Sequence, residues 1–379
     1  MRSVIRAGMF SFALVATVGA GTACKKKNQD ATGSGSASAS ASGSGSASAS
    51  GSGSATGAPA TALTQEDAAK MYAACWGHFN GRTWDDFKNC FAADAVSDDM
   101  GMGMQAKGNE AIVAEAKKYA DAMSDTKGEA QLTLVNGKNI AAIQLFTGTH
   151  DGVMKSPMGD IPATGKKVSI LSFHATELDL AQGKATHDWF LNDGASFMGQ
   201  LGLLPKEVPF RGPAAAWPEK LVVLAKGDAT ESANVAAYQA GIETFNKHDI
   251  KGLAATFAEN VVWSEQSAPA DQTLAEMTKG LEEFWAGFSD MKLTVKTAWG
   301  AGDYVVAVGN ATGTNDGTFA AMGLDKTGKK FDVPYVEINH FAGGKVDKAW
   351  MFMNSAAFMQ QLGLGGPPPG GAPPADPPK

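Results

Sequence analysis

The chain contains a long internal repeat. Gly183–Leu203 and Gly344–Leu364 align without a gap at a constant offset of 161, and ten of the 21 positions are identical. In each copy a strand-like run, Asp188–Asn192 or Ala349–Met353, leads directly into a short apolar run of helical character. Repetition over this length predicts two similar structural units rather than one continuous fold.

Earlier segments repeat in the same order. The sequence FNGRTWDDFKNCFAADAV at 79–96 resembles FNKHDIKGLAATFAENVV at 245–262, and GTHDG at 148–152 matches GTNDG at 313–317. Three helical patterns come first in each copy and strands follow. We therefore predict an α+β fold, with helices packed on one face of a curved, mainly antiparallel sheet in each of two tandem domains.

The first residues predict an export signal. Arg2 and Arg6 precede an apolar stretch, Ala7–Gly21, which is too short to span a bilayer comfortably. The sequence GTAC that ends at Cys24 resembles a bacterial lipobox. This resemblance implies that Cys24 is lipidated and anchors the protein in the bacterial cell envelope, on the periplasmic or outer-membrane face. An ordinary secretory signal with an incidental cysteine is the alternative.

Composition divides the rest of the chain. Residues 28–62 are nearly pure Gly, Ser and Ala and have nothing to bury, which predicts a flexible tether. The net charge of −7 lacks the basic footprint of a nucleic-acid-binding protein. We predict a signal peptide at 1–24, a tether at 25–62, a first domain at 63–204, a linker at 205–229, a second domain at 230–364 and a disordered Pro-rich tail at 365–379.

Two cysteines remain in the first domain. Cys75 lies on the first helical pattern and Cys90 on the second, which we predict at 84–93. An exported protein is in an oxidising compartment, so we expect a disulfide between them, with two buried thiols as the alternative. The matching positions of the second copy are Gly241 and Thr256, which means that the fold does not require the bridge.

The order of these motifs resembles that of one family. Three helices precede the strands. FN stands near the end of the first helix and is followed by GTHxG, a PxTGK turn and the closing GK, W, D and QLGL. This order is similar to that of the SnoaL-like polyketide cyclases (ester cyclases). The resemblance covers Glu66–Leu204 and, more loosely, Glu231–Leu364. It implies the cone-shaped fold of nuclear transport factor 2, with an apolar pocket under the helices. Such domains often pair sheet to sheet, so we expect an intramolecular pseudo-dimer.

The family resemblance also implies a general base. Its enzymes use a pocket carboxylate to remove a proton next to a carbonyl, and the position that carries over is Asp193. Strand alternation places His187, Trp189 and Leu191 on the same face as Asp193, and we expect all of them to line the ligand pocket. A carboxylate beside Trp and Leu would be desolvated, which raises its pKa toward the range that a base needs.

Two histidines are candidate helpers of this base. His150 and His174 lie on other strands, from which either would polarise the substrate carbonyl or hold the base. A hydrogen-bonded core histidine is the alternative interpretation of each, because a lone histidine on a sheet face is usually structural.

Asp193 has a structural interpretation too. Asp before Gly-Ala-Ser and an apolar helix is an ordinary N-cap, and Asn354 of the second copy would cap equally well. An amide takes no proton at neutral pH, so we expect no base chemistry at Asn354. We nevertheless expect Trp350 and Asn354 to line the pocket of the second copy.

Three functions follow from these patterns. The first is cofactor-free cyclisation or isomerisation of a small, largely apolar carbonyl compound in the first domain. The second is a non-catalytic small-molecule-binding module, and the third is a module that docks another envelope protein. The chain shows no His, Cys and carboxylate cluster with metal-site spacing, and the family works without a cofactor, so we expect neither a metal nor a cofactor.

Overall fold

The computed structural model describes residues 63–155, 159–204 and 210–364. The predicted signal peptide with Cys24, the tether and the Pro-rich tail lie outside the described residues. Within the described part, no helix is both long and apolar enough to cross a bilayer.

The first copy begins with two helices. Thr64 accepts a hydrogen bond from the backbone N–H of Asp67 and caps the first of them. The second helix ends at Asn89, and its predicted extension to 93 is wrong, because Phe91–Asp99 pairs with a distant strand of the same copy instead. The elements are α1 (Gln65–Gly81), α2 (Trp84–Asn89), β1 (Phe91–Asp99), β2 (Met104–Lys107), α3 (Asn109–Ala122), β3 (Lys127–Asn136), β4 (Asn139–Thr149), β5 (Lys167–Asp179), β6 (Lys184–Asn192) and α4 (Gly194–Gln200).

The second copy repeats this order after one extra strand, except that none of its described strands corresponds to β2. That strand, β7 (Leu221–Leu224), falls in the segment that we predicted to be a linker. The remaining elements are α5 (Ala229–Asn246), α6 (Ile250–Ala255), β8 (Phe257–Glu265), α7 (Leu274–Gly287), β9 (Lys292–Ala301), β10 (Tyr304–Thr314), β11 (Lys330–Ala342), β12 (Lys345–Met353) and α8 (Ser355–Leu362), with a short 3₁₀ turn at Ala320–Met322.

Each copy forms one sheet. The first has the strand order β2-β1-β6-β5-β4-β3-β7, and the second has the order β8-β12-β11-β10-β9. Three neighbouring pairs are parallel (β1 with β6, β3 with β7 and β8 with β12), and the others are antiparallel. The predicted α+β class, with mainly antiparallel sheets in two tandem copies, is confirmed.

The repeated FN motif attaches the first helix of each copy to its sheet. The Asn80 side chain exchanges two hydrogen bonds with the backbone of Gly128 at the start of β3, both of 2.9 Å. Asn246 makes the same pair of bonds with Leu293 in β9, at 2.9 and 2.8 Å. An amide that satisfies a backbone donor and a backbone acceptor at once fixes where the helix lies on the sheet.

The two sheets pack against each other with the faces that point away from their helices. The rings of Phe173 and Phe352, one from each copy, lie 6.2 Å apart. Together these faces form one buried apolar cluster: Leu132, Leu134, Ala141, Ile143, Phe173 and Leu191 from the first copy, and Ala301, Val306, Val336, Ile338, Trp350 and Phe352 from the second. Each sheet is therefore covered on both faces, by helices on one and by the other copy on the other.

Candidate functional site

The first copy encloses a cavity of about 410 Å³ between its sheet and its three opening helices. The helices and β1 supply a wall that is mostly aromatic and aliphatic: Trp76, Phe79, Phe87, Phe91, Ile112 and Tyr119. Cys75 on α1 and Cys90 at the end of α2 also line it and form a disulfide, with their Cα atoms 6.0 Å apart. The bridge ties the two helices that form this wall.

The floor of the cavity is polar and comes from three adjacent strands. Asp188 in β6 lies opposite Ser97 in β1 and Thr176 in β5, and all three side chains line the cavity. The Thr176 hydroxyl donates to Asp188 Oδ1 at 3.0 Å, and the Ser97 hydroxyl donates to Oδ2 at 3.3 Å. Burial nevertheless raises the pKa of Asp188 to about 6, because the two hydroxyls offset only part of the lost hydration.

His174 lies on the same floor. Its strand neighbour is Phe190, on which its ring stacks with the centroids 5.6 Å apart, and the Trp76 ring meets it edge-on at 4.8 Å. Burial lowers the pKa of His174 to about 3, so the imidazole is neutral at physiological pH. A neutral imidazole donates a hydrogen bond without carrying a charge.

Two further polar groups lie on the floor. Asp99, at the end of β1, accepts hydrogen bonds from the backbone N–H groups of Gly101 and Met102, both at 2.9 Å, and its other oxygen lies 3.4 Å from the Tyr119 hydroxyl. Ser172 is buried, lines the cavity, and its Oγ has no hydrogen-bond partner among the described residues. Asp99 thus closes a turn, whereas the Ser172 hydroxyl is available to a bound molecule.

The predicted pocket face of β6 is the wrong face. His187, Trp189 and Leu191 share a face with Asp193, as alternation requires, but Asp188 and Phe190 point into the cavity. Leu191 instead packs in the cluster between the two sheets. Alternation defines two faces, and only the position of the helices and of the other copy decides which of them encloses the pocket.

Asp193 itself caps α4 at the contact between the copies. Its Oδ2 accepts from the Ser196 backbone N–H at 2.6 Å, and its Oδ1 accepts from the Ser355 hydroxyl of the second copy at 3.2 Å. Burial raises its pKa, and these bonds partly offset that effect. The carboxylate therefore holds a helix and an interface, whereas Asp188 is among the carboxylates that line the cavity.

The equivalent Asn354 has a matching role. Its Oδ1 accepts from the Ala357 backbone N–H at 2.9 Å and caps α8, while its Nδ2 donates to the carbonyl oxygen of Met100 in the first copy at 2.6 Å. Trp350 packs between the sheets and stacks on Trp217 at 5.2 Å. The prediction that Trp350 and Asn354 line a pocket is therefore wrong, because both face the other copy.

The remaining predicted residues lie elsewhere as well. His187 contacts Asp98 through Nε2 at 2.6 Å and stacks on Trp189 at 3.7 Å, half-buried on the side of the sheet away from the cavity. His150 is fully buried below the turn at Thr164, whose backbone N–H donates to His150 Nδ1 at 3.3 Å. Of the three predicted catalytic residues, only His174 lines the cavity.

Sequence reasoning missed Asp188, although one signal pointed to it. Trp189 and Trp350 are identical in the two copies and belong to one face of the final strand, whereas Asp188 is replaced by Ala349. The tryptophan that both copies keep marks the strand face that packs between the sheets, so the opposite face, where Asp188 stands, was the one to search for chemistry. Within the described residues, no group of three or more His, Cys, Asp or Glu side chains could hold a metal ion.

The comparisons with known proteins agree with this architecture. The SnoaL-like polyketide cyclase family matches residues 66–201 and 235–362, which together are more than half of the chain. No curated protein is significantly similar.

Similar solved structures each cover about a third of this chain. AclR from Streptomyces galilaeus, assigned as a hydroxylase, is 25% identical over 35% of this chain and 87% of its own, with a TM-score of 0.33. IdmH from Streptomyces antibioticus, assigned as a polyketide cyclase, is 22% identical over 34% and 98%, with a TM-score of 0.32. TsrD from Streptomyces laurentii is 18% identical over 35% and 96%, with a TM-score of 0.32.

The family match spans both halves of the repeat, and each half folds into helices on a curved sheet. The chain therefore belongs to the SnoaL-like polyketide cyclase family and carries two tandem copies of its cone-shaped fold.

Proposed function

We propose that the first copy binds a small, largely apolar carbonyl compound and cyclises or isomerises it without a cofactor. The observation that carries this proposal is Asp188, a carboxylate on the floor of an apolar cavity of about 410 Å³ with a pKa of about 6. A general base works best when its pKa lies near the operating pH, since it is then both ionised and basic enough. Asp188 meets both conditions near neutral pH.

The reaction begins with proton transfer to Asp188. The carboxylate takes a proton from the carbon next to the carbonyl, and the electrons of that C–H bond move onto the carbonyl oxygen as an enolate. In an isomerisation the proton returns to a different carbon. In a cyclisation the enolate carbon bonds to a second carbonyl carbon of the same molecule, and Asp188 returns the proton to the resulting alkoxide. Product and substrate have the same mass in both cases.

Two neighbours are suited to stabilise the enolate. The Ser172 hydroxyl is buried, lines the cavity and is free to donate to the developing negative oxygen. His174 is neutral and held in place between Trp76 and Phe190, so its ring can donate to the same oxygen without placing a positive charge beside Asp188. An apolar wall excludes water and strengthens both hydrogen bonds.

Native mass spectrometry with a small-molecule extract tests the proposal. The purified full chain is compared with its Asp188→Asn variant, which keeps the shape of the site but cannot accept a proton. We expect the variant to retain a compound that the wild type converts into a product of equal mass, separable by chromatography. Retention of one unchanged compound by both proteins would identify a binding module and reject the enzyme.

The same proposal includes a lipid anchor on Cys24 that holds the protein at the cell envelope. It is supported by the apolar export signal and the lipobox-like sequence before Cys24, followed by three lysines and a Gly/Ser/Ala tether. Expression in bacteria fed an alkyne-labelled fatty acid should label the wild type and leave the Cys24→Ala variant unlabelled. Equal labelling of both, or of neither, would reject the anchor.

A further inference from the structure

The second copy has a cavity of its own, of about 460 Å³, in the place that corresponds to the cavity of the first. Its wall is apolar and rich in aromatic rings and thioethers: Phe245, Leu253, Trp263, Phe284, Met351 and Met353. Such a wall suits the body of a small organic molecule, and the faces of its rings also attract cations.

Two carboxyl groups line this cavity. Glu337 in β11 and Glu265 in β8 are the neighbours of Met351 on either side, so their backbones are roughly 10 Å apart, two strand spacings. Glu337 is 5% exposed and Glu265 is 4% exposed. Lys345, the basic residue among those that line the cavity, is exposed at the surface and does not neutralise them from within.

Few protein groups satisfy these carboxyls. The Ser267 hydroxyl donates to Glu265 Oε1 at 2.5 Å, the Asn339 side chain lies 3.5 Å from Glu337 Oε2, and the Tyr238 hydroxyl also lies near Glu337. The nearby Arg211 directs its guanidinium to Asp271 and to the backbone carbonyl oxygens of residues 265 and 268. Both side chains therefore retain acceptor capacity, and within the described residues neither forms an ion pair with a lysine or arginine, since Arg211 is engaged elsewhere.

An independent observation points to a bound molecule. Gln272 lines the cavity and is 7% exposed, and neither its Oε1 nor its Nε2 has a hydrogen-bond partner among the described residues. Its backbone is fixed by two hydrogen bonds to Trp263, of 3.0 and 2.8 Å, which hold the side chain at the cavity. Burying an amide whose oxygen and nitrogen both lack hydrogen-bond partners costs free energy, and a ligand that bonds to these atoms would offset that cost.

The first cavity differs in just this respect. There Asp188 accepts hydrogen bonds from Ser97 and Thr176, and Asp99 accepts from two backbone N–H groups. Each carboxylate of the first cavity thus has two good protein donors, whereas Glu265 has one and Glu337 has a long contact to Asn339. A ligand that fits the second cavity should supply several N–H donors and a positive charge on an apolar body.

We propose that the cavity of the second copy is a binding site for a small organic cation, a primary ammonium group attached to an aromatic or aliphatic body. The ammonium donates to Glu337, to Glu265 or to Gln272 Oε1, and the body packs against the aromatic wall. The site is independent of the reaction proposed for the first copy.

The charges around the carboxyls set the pH dependence of this binding. Burial raises the pKa of Glu265 to about 7, with Asp193 at the start of α4 and Glu337 on β11 raising it and Arg211 lowering it. The pKa of Glu337 is raised by burial and lowered in part by Tyr238 and Asn339. An ammonium ion remains charged throughout this range, so its affinity should rise with pH through about 7, as Glu265 loses its proton.

Calorimetric titration of the full chain with matched probes tests the site. At about pH 8, 2-phenylethylamine should bind at least about tenfold more tightly than 2-phenylethanol, which has a similar size but no charge. Glu337→Gln and Glu265→Gln should each weaken amine binding at least about tenfold and leave the weak binding of the alcohol unchanged. Glu282→Gln, at an exposed position on α7, is the matched control and should bind the amine like the wild type.

Several outcomes would overturn the inference. Equal affinity for the amine and the alcohol would mean a neutral-ligand pocket, and no binding of the amine at millimolar concentration would mean no cation site. Loss of binding in Asp188→Asn, with binding intact in the two glutamine variants, would move the site to the first copy. If thermal melting shows that a variant is unfolded, the amine–alcohol ratio of the wild type and its rise with pH decide the question alone.

Discussion

The two copies share a scaffold and differ in the polar floor of their cavities. Both place a carboxyl at the end of the first strand, Asp99 or Glu265, beneath an aromatic wall. At the centre of the floor, however, Asp188 is replaced by Ala349, and His174 by Glu337. His174 and Glu337 both border a cavity, which leaves room for side chains of different size and charge. The copies therefore share one architecture and differ in the polar groups that line their cavities.

The copies also differ at the interface between them, where Asp193 of the first corresponds to Asn354 of the second. Asp193 and Asn354 both cap a helix, but only the amide can donate to a carbonyl oxygen across the interface, as Asn354 does to Met100. On the other side, the corresponding carbonyl oxygen of Gln266 lies 3.5 Å from the Ser196 hydroxyl. The Asp-to-Asn difference thus corresponds to an asymmetric contact between the two copies.

Replacing residues of one copy by those of the other tests this interpretation, and the largest effect is expected on catalysis. Asp188→Ala gives the first copy the residue of the second and should lower turnover by roughly 10²- to 10⁴-fold, the usual contribution of a general base. Asp193→Asn makes the equivalent exchange at the interface and should lower turnover less than about tenfold. Steady-state rates with the compound identified by mass spectrometry provide the measurement, and the reverse ranking would restore Asp193 as the base.

The disulfide is the next largest difference. Removing it with Cys75→Ser and Cys90→Ser should lower the free energy of unfolding of the first copy by about 3 kcal/mol, the chain-entropy value for a loop of about 15 residues. In the second copy, a Cβ built on Gly241 would lie 3.9 Å from Thr256 Oγ1, so the same two positions are in contact there. Installing cysteines at 241 and 256 should stabilise that copy by a similar amount.

Urea unfolding of each variant, with and without reductant, measures this difference. Reductant should destabilise the wild type to the level of the double-serine variant and leave that variant unchanged. Insensitivity of the wild type to reductant, with two free thiols counted by mass spectrometry, would contradict the bridge.

The interface exchange in the opposite direction should have a smaller effect. Asn354→Asp keeps the helix cap but removes the donor to the Met100 carbonyl oxygen and places a carboxylate against it, at a cost of roughly 1–3 kcal/mol. Asp193→Asn still accepts from Ser196 and should cost less than about 1 kcal/mol. Denaturation midpoints of the two variants provide the comparison, and equal losses would mean that the two caps are interchangeable.

The pH dependence of kcat/KM distinguishes Asp188, with its raised pKa, from an aspartate with an ordinary pKa. Because Asp188 must be ionised to accept a proton and its pKa is raised to about 6, kcat/KM should be half-maximal near pH 6 and fall about tenfold per unit below it. His174, with a pKa lowered to about 3, does not titrate in that window. A plateau that extends down to the normal range of aspartate would exclude Asp188 as the base.

The sequence predicted what depends on local pattern. The repeat, the α+β class and the shared face of His187, Trp189, Leu191 and Asp193 all follow from spacing along the chain. The orientation of that face does not, because it depends on which side of β6 the helices cover and on the second copy packing on the other. Strand β7 was missed for the same reason, since its pairing with β3 is a long-range contact.

The smallest effect is expected at His150 and Asn315, which accept equivalent hydrogen bonds in the two copies. His150 Nδ1 accepts from the Thr164 backbone N–H, and Asn315 Oδ1 accepts from the equivalent Thr327 N–H at 2.7 Å. The amide group of Asn315 also donates to two backbone carbonyl oxygens, at 3.2 and 3.0 Å, whereas Nε2 of His150 is buried without a partner among the described residues. The asparagine is thus the better satisfied of the two.

His150→Asn should therefore change the free energy of unfolding by less than about 1 kcal/mol and leave turnover unaltered, since the side chain lies outside the cavity. His150→Leu is the matched control: it removes the acceptor for the Thr164 N–H and should cost roughly 1–3 kcal/mol. Urea unfolding and steady-state rates on both variants separate the two roles. A loss of turnover in a stable His150→Asn protein would show that the histidine acts on the substrate, and the cavity floor would then have to include the turn at Thr164.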